Sequence, residues 1–345
     1  MFFKKIDSKL FIIKWRIFDI MKTKNKHSPN VFSCLRHKNL LDFGAKKSKL
    51  KFLSKNQNDC KLSKNRNEVW NFVKLTYNYG KICLNQYSNK YSKQLYSQPA
   101  LFTIVLLKIY LNLSYRGIMD YIDSNRRIKD YLKIKKSPDY STLQRFFKRM
   151  PTDMFERITE IIIDELNIEV EIVALDGSGF SQDTADQYYM RIRDIKAKKY
   201  TKCHISIDVG SRLILHSQAL NGARHDLTFA NAALRKIKKY KPKFILADKA
   251  YDSEKVRAII HEELNAQEHI PIKGKCKKGF YRKRSRKTFQ KEIYNQRSHV
   301  ESVFSVIKRK FSGVNKSKSV RLRNKETRLK TLVYNIYRTI QLTTQ

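Results

Sequence analysis

The chain has 345 residues, and 73 lysines and arginines against 31 acids give it a net charge of +42. That excess is far beyond what solubility needs. It points to a polyanionic partner, nucleic acid before an anionic membrane, because the charge runs along the whole chain and not along one amphipathic helix. Five scattered cysteines (Cys34, Cys60, Cys83, Cys203, Cys276), with no CxxC pair, argue against a disulfide framework or a cysteine zinc site and fit a reducing cytosol.

Residues 1–65 are rich in Lys, Asn and Ser with weak periodicity and read as a poorly ordered basic arm. Lys9, Lys14 and Arg16 interrupt its apolar patches, so no signal-peptide core is expected. A helical domain is expected over 66–165. Its run ALFTIVLLKIYLNL, from Ala100, is too short to span a bilayer and predicts a buried helix, so no membrane partner is expected. LSYRGIMDYI and STLQRFFKRM follow as helices joined by a turn at SPDY. Ser141 with Gln144 three residues on is a capping-box pattern that starts the second helix at Ser141. Leu143, Phe146 and Phe147 face inward there and leave Arg145, Lys148 and Arg149 outside. Such a pair resembles a helix-turn-helix that presents basic residues to DNA; a small bundle with a solvated face gives the same pattern.

The third segment is expected over 166–345. In EIVALDGSGF, Ile172–Leu175 reads as a buried strand closing on Asp176 and a Gly-Ser-Gly turn. KCHISIDVG and RLILHSQAL read as an antiparallel pair across a turn at Val209–Arg212. HDLTFANAALRKIKKY reads as a helix with Asp226 at its N-cap, beside His225; His204 and His299 receive no role. KFILADKAYDSE is a second buried strand ending on Asp248, followed by a helix over Val256–Leu264, and HIPIK is a short strand. Lys273–Lys291 carries about ten Lys/Arg and no acid, the pattern of a solvated charged loop. The order predicts an α/β fold, a mixed sheet flanked by helices and preceded by a small helical, helix-turn-helix-like domain.

YNQRSHVESVFSVIKRK, from Tyr294, is expected to be one helix. At roughly 100° per residue, Tyr294, Arg297, Glu301 and Lys308 fall within about 60° of one another. Ile293, Val300, Val303, Phe304, Ile307 and Phe311 form the adjoining apolar stripe. One acid among cations, on a ridge beside the face that packs on the sheet, is read as holding something positive. If the strands that end on Asp176 and Asp248 are neighbours, three carboxylates converge, and they repel unless cations neutralise them. Hard oxygen donors without Cys or His suit Mg²⁺ or Mn²⁺, and two such ions suit phosphodiester chemistry.

These blocks resemble those of a DDE-type insertion-sequence transposase with an RNase H-like core. Tyr294, Arg297, Glu301 and Lys308 meet in full the signature Tyr-x2-Arg-x3-Glu-x6-Lys of a large group of bacterial and archaeal transposases. VALDGSGF resembles the family's first-Asp block, giving Asp176. LADKAYDSE resembles the second, giving Asp248 with Tyr251 and Asp252 as companions. LSYRGIMDYI and PDYSTLQRFFKRM are similar to the domain that precedes this core, and His225–Asp226 resembles a family His-Asp pair. The resemblance implies that Asp176, Asp248 and Glu301 bind two Mg²⁺ ions, with Mn²⁺ able to substitute. It implies that Arg297 and Lys308, with Tyr294 beside them, grip DNA near the terminal phosphate. The implied reaction is nicking at the terminal inverted repeats of an insertion sequence, then attack of the freed 3′-OH on target DNA. The implied partners are both double-stranded DNAs and a second copy of the chain, in a prokaryotic cytoplasm at the nucleoid. About 53 residues separate Asp248 from Glu301, which leaves no room for the large β-domain that some relatives insert there. The competing expectation is a catalytically inactive or domesticated copy that binds the repeats without cutting.

Overall fold

A computed structural model describes residues 67–182, 191–193, 200–222, 224–274 and 278–344. The expected arm over 1–65 lies outside the described residues, as do Cys34, Cys60 and Cys276. Leu62–Gln345 forms one compact unit. It opens with α1 (Glu68–Cys83), α2 (Gln98–Tyr110), α3 (Tyr115–Asp123), α4 (Arg126–Tyr131), α5 (Tyr140–Arg149) and α6 (Asp153–Glu165). The apolar run is α2, buried continuously from Pro99 to Leu107. Ser97 Oγ accepts the Ala100 N–H, and Pro99 sits in the first turn, where its missing N–H costs no helix bond. Among the described residues no single helix is long and apolar enough to cross a membrane.

Two local expectations for this region shift. α4 stands between α3 and α5, so the connection is not a single turn at SPDY. The cap of α5 is Asp139, not Ser141: its carboxylate accepts the Ser141 N–H at 2.8 Å. Aspartate caps as well as serine, and its charge also suits the positive end of the helix dipole. The faces fall as the periodicity predicts, with Leu143, Phe146 and Phe147 buried and Arg145, Lys148 and Arg149 exposed.

The sheet comprises β1 (Ile172–Gln182), β2 (Tyr200–Asp208), β3 (Ile214–Asn221), β4 (Phe244–Ala247), β5 (Gln267–His269) and β6 (Val314–Asn315). Its six strands run β3-β2-β1-β4-β5, with β6 also on β1. β1, β2 and β3 pair antiparallel, and β4, β5 and β6 join in parallel. Between them run α7 (Leu227–Ile237), α8 (Glu254–Ala258), α9 (Phe280–Thr288), α10 (Lys291–Asn295) and α11 (Ser298–Phe311), and α12 (Val320–Thr344) follows β6. β1 alternates between two cores. Val173 and Leu175 pack with residues of α7 and α8, while Ala174 and Phe180 pack with α11, α12 and the N-terminal helices. A mixed sheet flanked by helices is consistent with the RNase H-like fold expected.

Three strand and helix expectations need correction. β1 does not close at Asp176; Gly177-Ser178-Gly179 is strand, because β2 pairs with it as far as Ser181. HIPIK is not a strand beyond His269. β4 ends at Ala247, so Ile270–Lys273 has no strand beside it, and Pro271 has no N–H to donate. The helix expected over Val256–Leu264 starts at Glu254 and continues as a wide π turn over Ile259–Glu263.

α12 ties the layers together through polar groups. Asn335 behaves like a strand neighbour of β3: Oδ1 accepts the Ile214 N–H at 2.9 Å, and Nδ2 donates to the Ile214 carbonyl at 2.8 Å. Lys325 Nζ donates to the carbonyls of Phe147, Lys148 and Met150, closing the C-terminal end of α5.

The basic run Lys273–Lys291 is not a loop, since α9 lies inside it. Gly279 precedes α9 at φ +126°, and the Glu254 carboxylate occupies the place a Cβ would take there. Glu254 accepts the Tyr281 N–H at 2.6 Å, so an acid from α8 caps α9. Arg282 Nε then donates to Asp252 at 2.9 Å. Ser285 accepts from Arg257, whose guanidinium also donates to Asp252, Glu268 and the Ile270 carbonyl. The side chains of Arg257 and Asp252 are 0 % exposed. Burial alone would raise the Asp252 pKa; the Lys273 N–H, Arg282 and Arg257 outweigh it and hold the carboxyl below its ordinary value. A run of like charge folds here because acids from outside the run meet it. Arg257→Met, which strands the Glu268 carboxylate in the interior, is expected to destabilise the fold by about 3 kcal/mol. Chemical denaturation measures this, and an unchanged midpoint would remove the hub from the account of stability.

Candidate active site

β1 and β4 pair in parallel from Ile172↔Phe244 to Leu175↔Ala247. Asp176, on β1, and Asp248, the first residue past β4, come next, so the register sets them side by side. Asp248 ends β4: its Oδ1 accepts the Lys249 N–H at 2.6 Å and starts a 3-10 turn over Lys249–Tyr251. β4 therefore leaves β1 at this level. β6 takes up the same edge only at Ser181↔Val314, and between the two no strand covers it among the described residues. The opening lies where the first carboxylate stands, at the carboxyl end of a parallel strand pair.

Across one face lies α11. Val300, Val303, Phe304, Ile307 and Phe311 are buried as the stripe predicts, and Ile293 packs against the same core. The single helix expected from Tyr294 onward is broken. α10 ends at Asn295, and tight i+3 bonds carry the chain through Gln296 and Arg297 before α11 starts at Ser298. A projection at a constant angle per residue does not hold across that break, so Tyr294 stands on a separate helix, its ring 5.5 Å from that of Phe289.

Three of the four signature side chains still reach β1 or one another. Arg297 bridges two carboxylates, donating to Glu301 Oε1 at 2.6 Å and pairing with Asp176 Oδ2 at 3.8 Å. Lys308 Nζ donates to Ser178 Oγ at 2.7 Å, two residues along β1 from Asp176. Glu301 is 57 % exposed and Asp176 24 %, so the acid on the helix faces solvent and the one on the sheet is half-buried. Arg145, Lys148 and Arg149 stand apart, on the exposed face of α5.

Asp226, expected as the N-cap of α7 and as half of a His-Asp pair, was not among the expected site residues. It occupies the N-cap position of α7 with no side-chain cap bond; His225 Nδ1 accepts the Leu227 N–H at 3.3 Å instead. The Asp226 carboxylate turns to Lys202 Nζ at 2.7 Å and lies against Gly177, where a Cβ would stand 2.6 Å from its Oδ1. The glycine after Asp176 thus makes room for a fourth acid; that small residue and the resemblance of His225–Asp226 to a family pair were the available signals. Tyr251 lies below these groups. Its hydroxyl is buried without a hydrogen-bond partner among the described residues, and its pKa is raised first by burial and then by Asp226, Asp176 and Asp248. His204 is buried beneath the site, stacked on Phe229, and burial first, then His216 and Lys202, pushes its pKa down to about 3.

Burial raises the Asp176 pKa, and the charges of Asp226 and Glu301 raise it further; the Gly177 N–H and Arg297 only partly offset them. A carboxylate held in that state favours a cation, and the surrounding acids are hard oxygen donors of the kind Mg²⁺ or Mn²⁺ takes. Among the described residues no three His, Cys, Asp or Glu side chains stand close enough to enclose an ion. Arg297 is the cation bound to Glu301 and facing Asp176.

A folded-state pKa above the unfolded one means that ionised Asp176 costs stability, a cost that appears as pH rises past the ordinary carboxylate range. Asp176→Asn is therefore expected to raise the melting temperature by about 1–3 °C at neutral pH. The gain should vanish below about pH 4, where both side chains are neutral. Thermal unfolding at the two pH values checks this, and a lower melting temperature at neutral pH would refute it.

No curated protein matches the chain. Residues 169–336, which contain Asp176, Asp248 and Glu301, match the family model for the transposase DDE domain, and that match supports a DDE-type transposase.

Proposed function

We propose that the protein is a DNA transposase that cuts at the terminal inverted repeats of its insertion sequence and joins the freed 3′-OH ends to target DNA. The observation that carries the reading is the pairing of β1 with β4, which sets Asp176 beside Asp248 under a helix whose Glu301 is linked to Asp176 through Arg297. Asp176, Asp248 and Glu301 are the residues that would hold two Mg²⁺ ions, or Mn²⁺ in their place. When bound, such ions supply activation of the attacking oxygen and stabilisation of the leaving one.

The chain's own part is to hold the strand. Arg297 offers a planar fork to a phosphate once Glu301 is engaged elsewhere, and Lys308 offers a point charge beside Ser178. Tyr294, one turn before Arg297, borders the same strand. The exposed face of α5, with Arg145, Lys148 and Arg149, belongs to a helix-turn-helix-like domain over 66–165 that recognises the repeats; 166–345 is the catalytic domain. The uncovered edge of β1 leaves a phosphodiester access to Asp176. Two copies of the chain pair the two ends as a homodimer on DNA.

The test uses purified protein, a duplex ending in the element's terminal repeat, and Mg²⁺. Strand nicks are expected from the wild type. Asp248→Asn and Glu301→Gln should each lower nicking by about 10³-fold or more while duplex binding stays within about threefold. A nicking Asp248→Asn variant would sink the assignment. Binding without nicks by the wild type would favour the inactive DNA-binding copy.

A further inference from the structure

We propose that the exposed face of α9 is a second docking surface for duplex DNA, formed by Phe280, Lys283, Arg284 and Lys287. This rests on the reading of the protein as one that acts on DNA, and it assigns DNA contact to an element outside the signature residues and outside α5.

The four residues follow the i, i+3, i+4, i+7 spacing and so form one stripe on a helix. All four are exposed, Phe280 at 72 %. None of Lys283, Arg284 and Lys287 is ion-paired among the described residues. Cations at and just after α7 behave differently: Arg235 pairs with Glu263, Lys236 with Glu156 and Lys239 with Glu160. Among the described residues the positive charge of this stripe is therefore left without an ion pair, where charge near α7 is matched by acids. From Phe280 to Lys287 the stripe is about 10 Å long, the axial rise of about three base pairs.

The opposite face of α9 gives the surface its rigidity. Glu254 caps the first turn, Arg282 reaches buried Asp252, and Ser285 reaches buried Arg257. A helix held at three points presents its cations with little ordering left to do on binding. Asp252 follows Asp248 by four residues and closes the 3-10 turn that Asp248 starts. The hub thus fixes the docking face relative to the carboxyl end of β4, the end that carries a proposed catalytic acid. Phe280 is a large apolar side chain at the head of a cationic stripe, where its ring packs on the sugar and base surface of a groove while the three cations hold phosphates.

The experiment measures the affinity of the full chain for a labelled random-sequence duplex over a series of salt concentrations. The triple variant Lys283→Ala, Arg284→Ala, Lys287→Ala should reduce the slope of log K against log salt by about 2 to 3, because each lost phosphate contact removes about 0.9. Phe280→Ala should weaken binding by about tenfold with no change of slope, since its contact releases no counterion. Replacing Lys283 and Lys287 by Arg and Arg284 by Lys should retain the slope. An unchanged slope in the triple variant, with wild-type melting temperature, overturns the proposal. So does a slope loss confined to single-stranded RNA of the same length, which would make the surface an RNA site. A wild type that shows no salt-dependent duplex binding sinks the DNA reading itself, an outcome distinct from failure of α9 alone.

Discussion

Asp176 is a half-buried carboxylate with other acids around it, and the position of Arg297 answers that charge. At an effective dielectric near 20, two unit charges about 4 Å apart interact by about 4 kcal/mol. One guanidinium is therefore of the same order as one like-charged neighbour. Arg297 reaches Asp176 and Glu301 together, and Lys308, on the far half of α11, reaches Ser178. Between these two anchors the helix buries Val300, Val303, Phe304 and Ile307. The apolar stripe fixes which face of α11 meets the sheet, and the two cations fix how far along β1 it lies. The location of Glu301 follows from both.

The short β4 is the second condition. Its four residues bring Asp248 level with Asp176 and then stop, because the Asp248 carboxylate takes the Lys249 N–H and turns the chain. A longer strand would have covered the edge of β1 beside Gly177 and Ser178. The same turn delivers Tyr251 beneath the acids and Asp252 to the Arg257 hub. One side-chain cap thus opens the site, floors it and ties it to α9.

Much of this was legible in the sequence, and what was not has physical causes. The strands of KCHISIDVG, RLILHSQAL and KFILA and the buried stripe of α11 follow from apolar periodicity, which is a local property. The adjacency of Asp176 and Asp248 needed strand pairing, which periodicity does not contain. The wheel drawn from Tyr294 failed at Gln296–Arg297, where bonds close at i+3. Arg297, Glu301 and Lys308 kept their relation because they lie at or beyond the restart of the helix. Gly177-Ser178-Gly179 looked like a turn because glycine favours turns, yet Gly177 sits in a strand to admit Asp226. Asp226 looked like a cap because aspartate caps well, but a nearby lysine outcompeted the backbone N–H for it. α9 was hidden because the acids that hold it, Asp252, Glu254 and Glu268, lie outside its own run.

The scarcity of acids makes that last case general. With 31 acids against 73 cations, a cation has no automatic partner, while almost any placement gives an acid one. An acid's partner then says little, but its burial and company say a great deal. Glu156, Glu160 and Glu263 meet surface cations at and after α7, where exposed pairs contribute little to stability. Asp252 and Glu268 are enclosed with Arg257 and hold a fold. Asp176 and Asp226 lie close to one another, and Asp176 has its pKa raised by burial and acidic neighbours despite the cations available in the rest of the chain. Stability alone gives no reason to gather acids in so basic a protein, since each would be better placed beside one of its many lysines. Their gathering beside the uncovered edge of β1 is a cost to stability that the proposed function would account for.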